Sequence, residues 1–103
     1  MKKIAMLVSE IKEELEGAEH YAKQALKNKE YDRDLASTYD KLSEIEKSHA
    51  NMLHDQVVRI IRDYRASGNE PPAGMMEIWE FEHEKLISDM ARVQVMIDAY
   101  RRK

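Results

Sequence analysis

The stretch from Leu35 to Ile60, LASTYDKLSEIEKSHANMLHDQVVRI, decides how this chain folds. The chain has three Gly and two Pro, so few places exist to break a helix, and none falls within this stretch. Taken in steps of seven, the stretch gives two neighbouring rows. One is Leu35, Leu42, His49 and Gln56; the other is Tyr39, Glu46, Leu53 and Ile60. Residues seven apart share one face of an α-helix, so the rows are expected to form its inner face. Asp32 or Asp34 is placed to cap the first turn. The helix is expected over about residues 33–66. Ser67-Gly68-Asn69 then stops it, and Pro71-Pro72 opens the next element.

Working outward, a first helix is expected over about residues 2–27. Its seam is Ile4, Val8, Ile11, Leu15, Ala18, Ala22 and Ala25, spaced by alternating fours and threes. A flanking row reads Leu7, Glu14, Tyr21. Asn28 can take the left-handed conformation that ends a helix. A third helix is expected over about residues 72–101, with the seam Met76, Trp79, His83, Leu86, Met90, Val93, Ile97, Tyr100. The expected fold is therefore all-α: three long amphipathic helices in one domain, residues 1–103. Both loops are short, so consecutive helices should be antiparallel neighbours, a hairpin followed by a third helix.

Composition narrows the function. The net charge is −3 with acids and bases interspersed, which argues against a nucleic-acid partner, since that needs a concentrated basic surface. Arg59, Arg62 and Arg65 cluster, but Asp55 and Asp63 dilute them, and they read as a solvated helix end. There is no Cys, so disulfides, thiolate metal sites and thiol nucleophiles are excluded. The apolar run after Lys2-Lys3 stops at Val8, so no targeting segment is expected. No stretch approaches the ~20 apolar residues of a membrane span. No membrane contact and a cytoplasmic location are the expectation. Neither a nucleophile–base set nor a phosphate-binding glycine loop is visible.

Chemistry enters through polar residues in the apolar rows. Glu46 and His49 are three apart and project from one helix face. Burying a carboxylate without a partner costs several kcal/mol. A divalent metal would satisfy the pair, because carboxylate oxygen and imidazole nitrogen suit iron, manganese or zinc. The first helix offers a third ligand, Glu14, between Leu7 and Tyr21. The turn between the helices centres near residue 30, so Glu14 lies about sixteen residues before it and Glu46 about sixteen after. In an antiparallel hairpin the two carboxylates share one height. The alternative is a hydrogen-bonded Glu–His pair, or a polar layer that sets register as in coiled coils. Tyr21 and Tyr39 are either donors to a metal carboxylate or core packing. Glu13, Glu16, Glu19, His20 and His54 fall toward outer faces. The seven Met read as gap-fillers.

Glu14 with Tyr21 seven later and Ala25 beyond, followed by Ser43-Glu44-Ile45-Glu46-Lys47-Ser48-His49-Ala50, resembles the ferritin-like superfamily, especially rubrerythrin and the small ferritin-like proteins. The likeness covers roughly residues 10–53, about half the chain. It implies a di-iron or di-manganese centre held by a first-helix Glu and a second-helix Glu-x-x-His, repeated in two further helices. Where iron binds, oxidation of Fe(II) by oxygen or peroxide is the reaction it implies. This chain departs from that pattern, having room for only three long helices.

The third helix carries its own Glu-x-x-His, Glu80 and His83, as a secondary candidate metal pair. The second loop centres near residue 70, about 24 residues after Glu46 and about ten before Glu80. The mismatch of about 14 residues is about 21 Å at ~1.5 Å per residue. Within one chain the two motifs cannot share an ion. A homodimer or higher homo-oligomer is therefore expected to complete the half-bundle. It would set two Glu14–Glu46–His49 sets face to face, or bring Glu80 and His83 from the second chain. A metal-free helical assembly protein is the alternative.

Overall fold

The computed structural model describes residues 2–102; Met1 and Lys103, the ends of the expected domain, lie outside the described residues. It contains three helices: α1 (Lys2–Asn28), α2 (Arg33–Ala66) and α3 (Ala73–Arg101). They form a rod of 56 × 20 × 18 Å. None of them is long and apolar enough to cross a membrane.

The ends follow local chemistry. Asp32 caps α2, its side chain accepting from the Leu35 N–H at 3.1 Å. Asn28 does not take the left-handed conformation expected of it. It stays helical, and its amide donates to the Gln24 carbonyl at 2.8 Å. After α2 the chain reverses through Gly68, which alone among the described residues has positive φ (85°), a conformation glycine adopts without steric cost. Pro72 precedes α3 without a side-chain cap, and its carbonyl accepts from Met75 and Met76.

Every residue of the α1 seam is buried: Ile4, Val8, Ile11, Leu15, Ala18, Ala22 and Ala25. The α3 seam is also turned inward, with Trp79, Leu86, Val93 and Ile97 buried and Met76, His83, Met90 and Tyr100 half-buried. On α2 the expectation needs correction. The buried line is Ala36, Ser43, Ala50, Val57 and Ile61. Leu35, His49 and Gln56 are exposed, and Tyr39, Glu46, Leu53 and Ile60 are half-buried. The cause is the closeness of α1 and α2. Ser43 Oγ donates to the Ala18 carbonyl, buried, at 2.7 Å. Small side chains, Ala36, Ser43 and Ala50, hold the seam around this approach, with Leu35, Leu42 and Leu53 to its side, while the larger Val57 and Ile61 continue the buried line toward the end of α2.

Pairs across the interfaces give the topology. Ala18 meets Ser43 and Glu14 meets His49, so α1 and α2 are antiparallel. Lys12 pairs with Glu82 and Glu19 with Arg92, so α3 runs parallel to α1. The third helix lies closest to α1 and approaches α2 at few points, although α2 precedes it in sequence. It fills one groove of the hairpin, over Ile11, Leu15, Ala50 and Val57. The other groove, lined by the row Leu7–Glu14–Tyr21 and by both α2 rows read from the sequence, faces away from α3.

Candidate metal centre

Glu14, Glu46 and His49 meet in this second groove, near mid-length of the hairpin. One ligand atom from each lies within 4.8 Å of the other two. His49 Nδ1 is 3.4 Å from Glu14 Oε2 and 4.0 Å from Glu46 Oε1. The two carboxylates are equally sheltered, each side chain 27% exposed, and the imidazole is the most open of the three at 47%. Bonds from a transition-metal ion to nitrogen and oxygen are about 2.0–2.2 Å, so the three donors stand wider apart than in a closed coordination shell. The matched height of Glu14 and Glu46 is thus realised, and both side chains are half-buried.

Gly17 explains why the Glu46 carboxylate can turn inward. A β-carbon at residue 17 would sit 3.1 Å from Glu46 Oε2, tighter than ordinary contact. Glycine inside a helix costs roughly 0.5–1 kcal/mol relative to alanine, and here the missing side chain is the space the carboxylate occupies. The Glu46 pKa is raised above its ordinary 4.5. A hydrogen bond shared with Glu14 is the largest cause, followed by burial and the Glu14 charge; His49 opposes them. No Lys or Arg is among the groups acting on it.

The surroundings are mixed. Glu10, Glu13, Met52 and Leu53 line the groove beside Glu14 and His49, an open volume of about 320 Å³. Tyr21 and Tyr39 stack on each other across the hairpin, ring centroids 6.0 Å apart. Each lies seven residues from its helix's carboxylate, about 10 Å along the axis, so their role is packing. Glu13, Glu16 and His20 are exposed, as expected. Glu19 is half-buried and pairs with Arg92 at 3.1 Å.

The secondary pair goes elsewhere. Glu80 is exposed, while His83 is half-buried and stacks on Trp79, centroids 4.9 Å apart. His83 meets α2 at His54, with Nε2 atoms 2.9 Å apart, on the α3 side of the hairpin. It does not reach Glu46 or His49 within the chain, as the height argument required. His54, expected on an outer face, is half-buried. Its seven-residue row, Lys47–His54–Ile61, ends on a buried residue and carried that signal. Gly17 was also missed; its mark was a glycine with no turn to make. Burial, and then the His54 charge, lower the His83 pKa below its ordinary 6.5.

No protein-family model matches this chain, and neither a curated protein nor a solved structure is significantly similar to it.

Proposed function

We propose that this protein binds a divalent metal through Glu14, Glu46 and His49, in the manner of a ferritin-like half-bundle. The observation that carries the reading is the convergence of these three donors, from two helices, within 4.8 Å in a half-sheltered groove. Two carboxylates and one imidazole form an oxygen-rich set suited to Fe(II) or Mn(II), with zinc also accommodated. One chain supplies half of the ligands of a di-metal carboxylate centre. Two copies supply four Glu and two His, the complement such centres use. The open groove is the side on which a second copy completes the set, so the proposed unit is a homodimer, cytoplasmic in location. An iron-loaded centre would supply one-electron chemistry with oxygen or peroxide, with Fe(II) as the substrate. In that reaction the carboxylates would hold and orient the ions, and the space at Gly17 would keep room for the Glu46 carboxylate.

Anaerobic titration of untagged protein with Fe(II), and separately Mn(II), tests this. The expected result is saturation at about one ion per chain, lost in the Glu46→Ala, His49→Ala double variant. Fully helical wild-type protein that takes up neither ion would overturn it. A second reading, a metal-free assembly protein, is favoured by the exposure of Met6, Ile45 and Met52 at 55%, 48% and 63%. Its signature is a dimer by sedimentation with no metal uptake.

A further inference from the structure

We propose that His54 and His83 form a second and separate metal site, an imidazole pair that ties α2 to α3 through a late first-row divalent ion: zinc, copper(II) or nickel(II). The two Nε2 atoms come from different helices and stand 2.9 Å apart. Two nitrogens each at about 2.0–2.1 Å from one ion are about 2.9 Å apart at the right angle of square-planar copper(II) or nickel(II), and about 3.3–3.4 Å apart at the tetrahedral angle of zinc, which the pair reaches by opening about 0.4 Å. The spacing is also that of a hydrogen bond between two neutral rings, which is the competing description. In either state at least one of the facing nitrogens carries a lone pair, because two protons do not fit between them.

Three neighbours favour ligation. Asp55 Oδ1 lies 3.8 Å from His54 Nδ1, on the far side of that ring. The distance is beyond direct hydrogen bonding and the Asp55 side chain is exposed, so its negative charge only weakly favours a proton on Nδ1, which leaves the Nε2 lone pair toward His83. Trp79 stacks on His83 with an interplanar angle of 19° and fixes that ring's plane. Beside the pair runs a groove of about 270 Å³ lined by Asn51, Ile87 and Met90 among others. It has room for the water or exogenous ligands that would complete the coordination sphere. The ligands here are nitrogen only, whereas the Glu14–Glu46–His49 set is oxygen-rich. The two sites therefore differ in ligand type: a pair of imidazoles suits zinc, copper and nickel and gives manganese no oxygen donor, whereas the carboxylates of the first site suit manganese as well.

The site stands independently of the first, and its test begins by silencing that one. Full-length protein carrying Glu46→Gln and His49→Asn is titrated with Zn(II) by calorimetry and with Cu(II) by electron paramagnetic resonance. The expected result is one zinc per chain and a copper signal split by two nitrogens. Adding His83→Gln, or His54→Gln, should weaken zinc binding at least tenfold and leave a single nitrogen. Zinc should also raise the Tm of the silenced protein but not of the His83→Gln form, because an ion bound only by the folded state stabilises it. Imidazole nitrogen resonances of unaltered protein give a readout free of variant misfolding: zinc should shift His54 and His83 Nε2. Zinc binding unchanged by either His replacement, or no zinc-induced shift at both Nε2 atoms, would overturn the proposal and leave a simple hydrogen-bonded pair.

Discussion

The hairpin of α1 and α2 has two grooves, built on the same close seam, and they treat charge differently. On the side covered by α3, three acidic groups meet bases across the helices: Lys12 with Glu82 at 2.7 Å, Arg92 with Glu19 at 3.1 Å, Arg101 with Asp40 at 3.1 Å. On the open side, Glu14 and Glu46 face each other, and among the described residues His49 is the base within 4.0 Å of them. A groove finished within the chain balances its charges. The open groove holds two carboxylates in mutual conflict, which is the condition a cation relieves.

The comparison is sharpest in stability. Leu86, buried under the α3 side, should cost about 2–5 kcal/mol when changed to Ala. Leu42, half-buried on the open side, should cost clearly less in the monomer. Chemical denaturation of both variants measures the difference, and equal losses would mean that the open groove is already packed.

A smaller effect is expected from pH. The Glu46 pKa is raised in the folded protein, so the folded state binds a proton that the unfolded chain releases near pH 4.5. Stability of metal-free protein should therefore fall as pH rises from about 4.5 through the raised value, and remain lower above it. Glu46→Gln should flatten that part of the profile and stabilise the neutral-pH protein. A metal-loaded protein should show no such fall. An unchanged slope in Glu46→Gln would locate the conflict elsewhere.

Gly17→Ala sets two terms against each other. Helix propensity favours Ala by about 1 kcal/mol, while the new β-carbon presses on the Glu46 carboxylate. The net gain should be under about 1 kcal/mol, rising toward the full value when Glu46 is also Ala; thermal melts of the two pairs give the coupling. Metal affinity should drop in Gly17→Ala alone. The smallest change belongs to the covered side's surface: Lys12→Ala should cost no more than about 1 kcal/mol, and less in high salt.

Legibility in the sequence divided along the same line. The α1 seam could be read in full because its inward positions carry the apolar side chains themselves. On α2, Ala36, Ser43 and Ala50 hold the closest approach while Leu35 and Leu42 stand beside it. Reading by bulk therefore turned the helix toward its open groove. The same turn brought Glu46 and His49 into view, since they lie on that flank. The matching height of Glu14 followed from counting residues about the turn, which needs no side-chain detail. His54 stayed hidden because its neighbours in the row include Lys47, and the hold of α3 on α1 was not encoded in loop length.

That hold also orders how the chain comes apart and together. The contacts of α1 with α2 close about a short turn, as Ala18 with Ser43 illustrates, separated by 25 positions. Glu19 and Arg92 are separated by 73. Loop-closure entropy grows with the span closed, and local pairings form sooner. The hairpin should be the early unit of folding, with α3 arriving later. In the native state α3 should be the first element to detach, so its amides should exchange with solvent at a lower opening free energy than those of the α1–α2 seam.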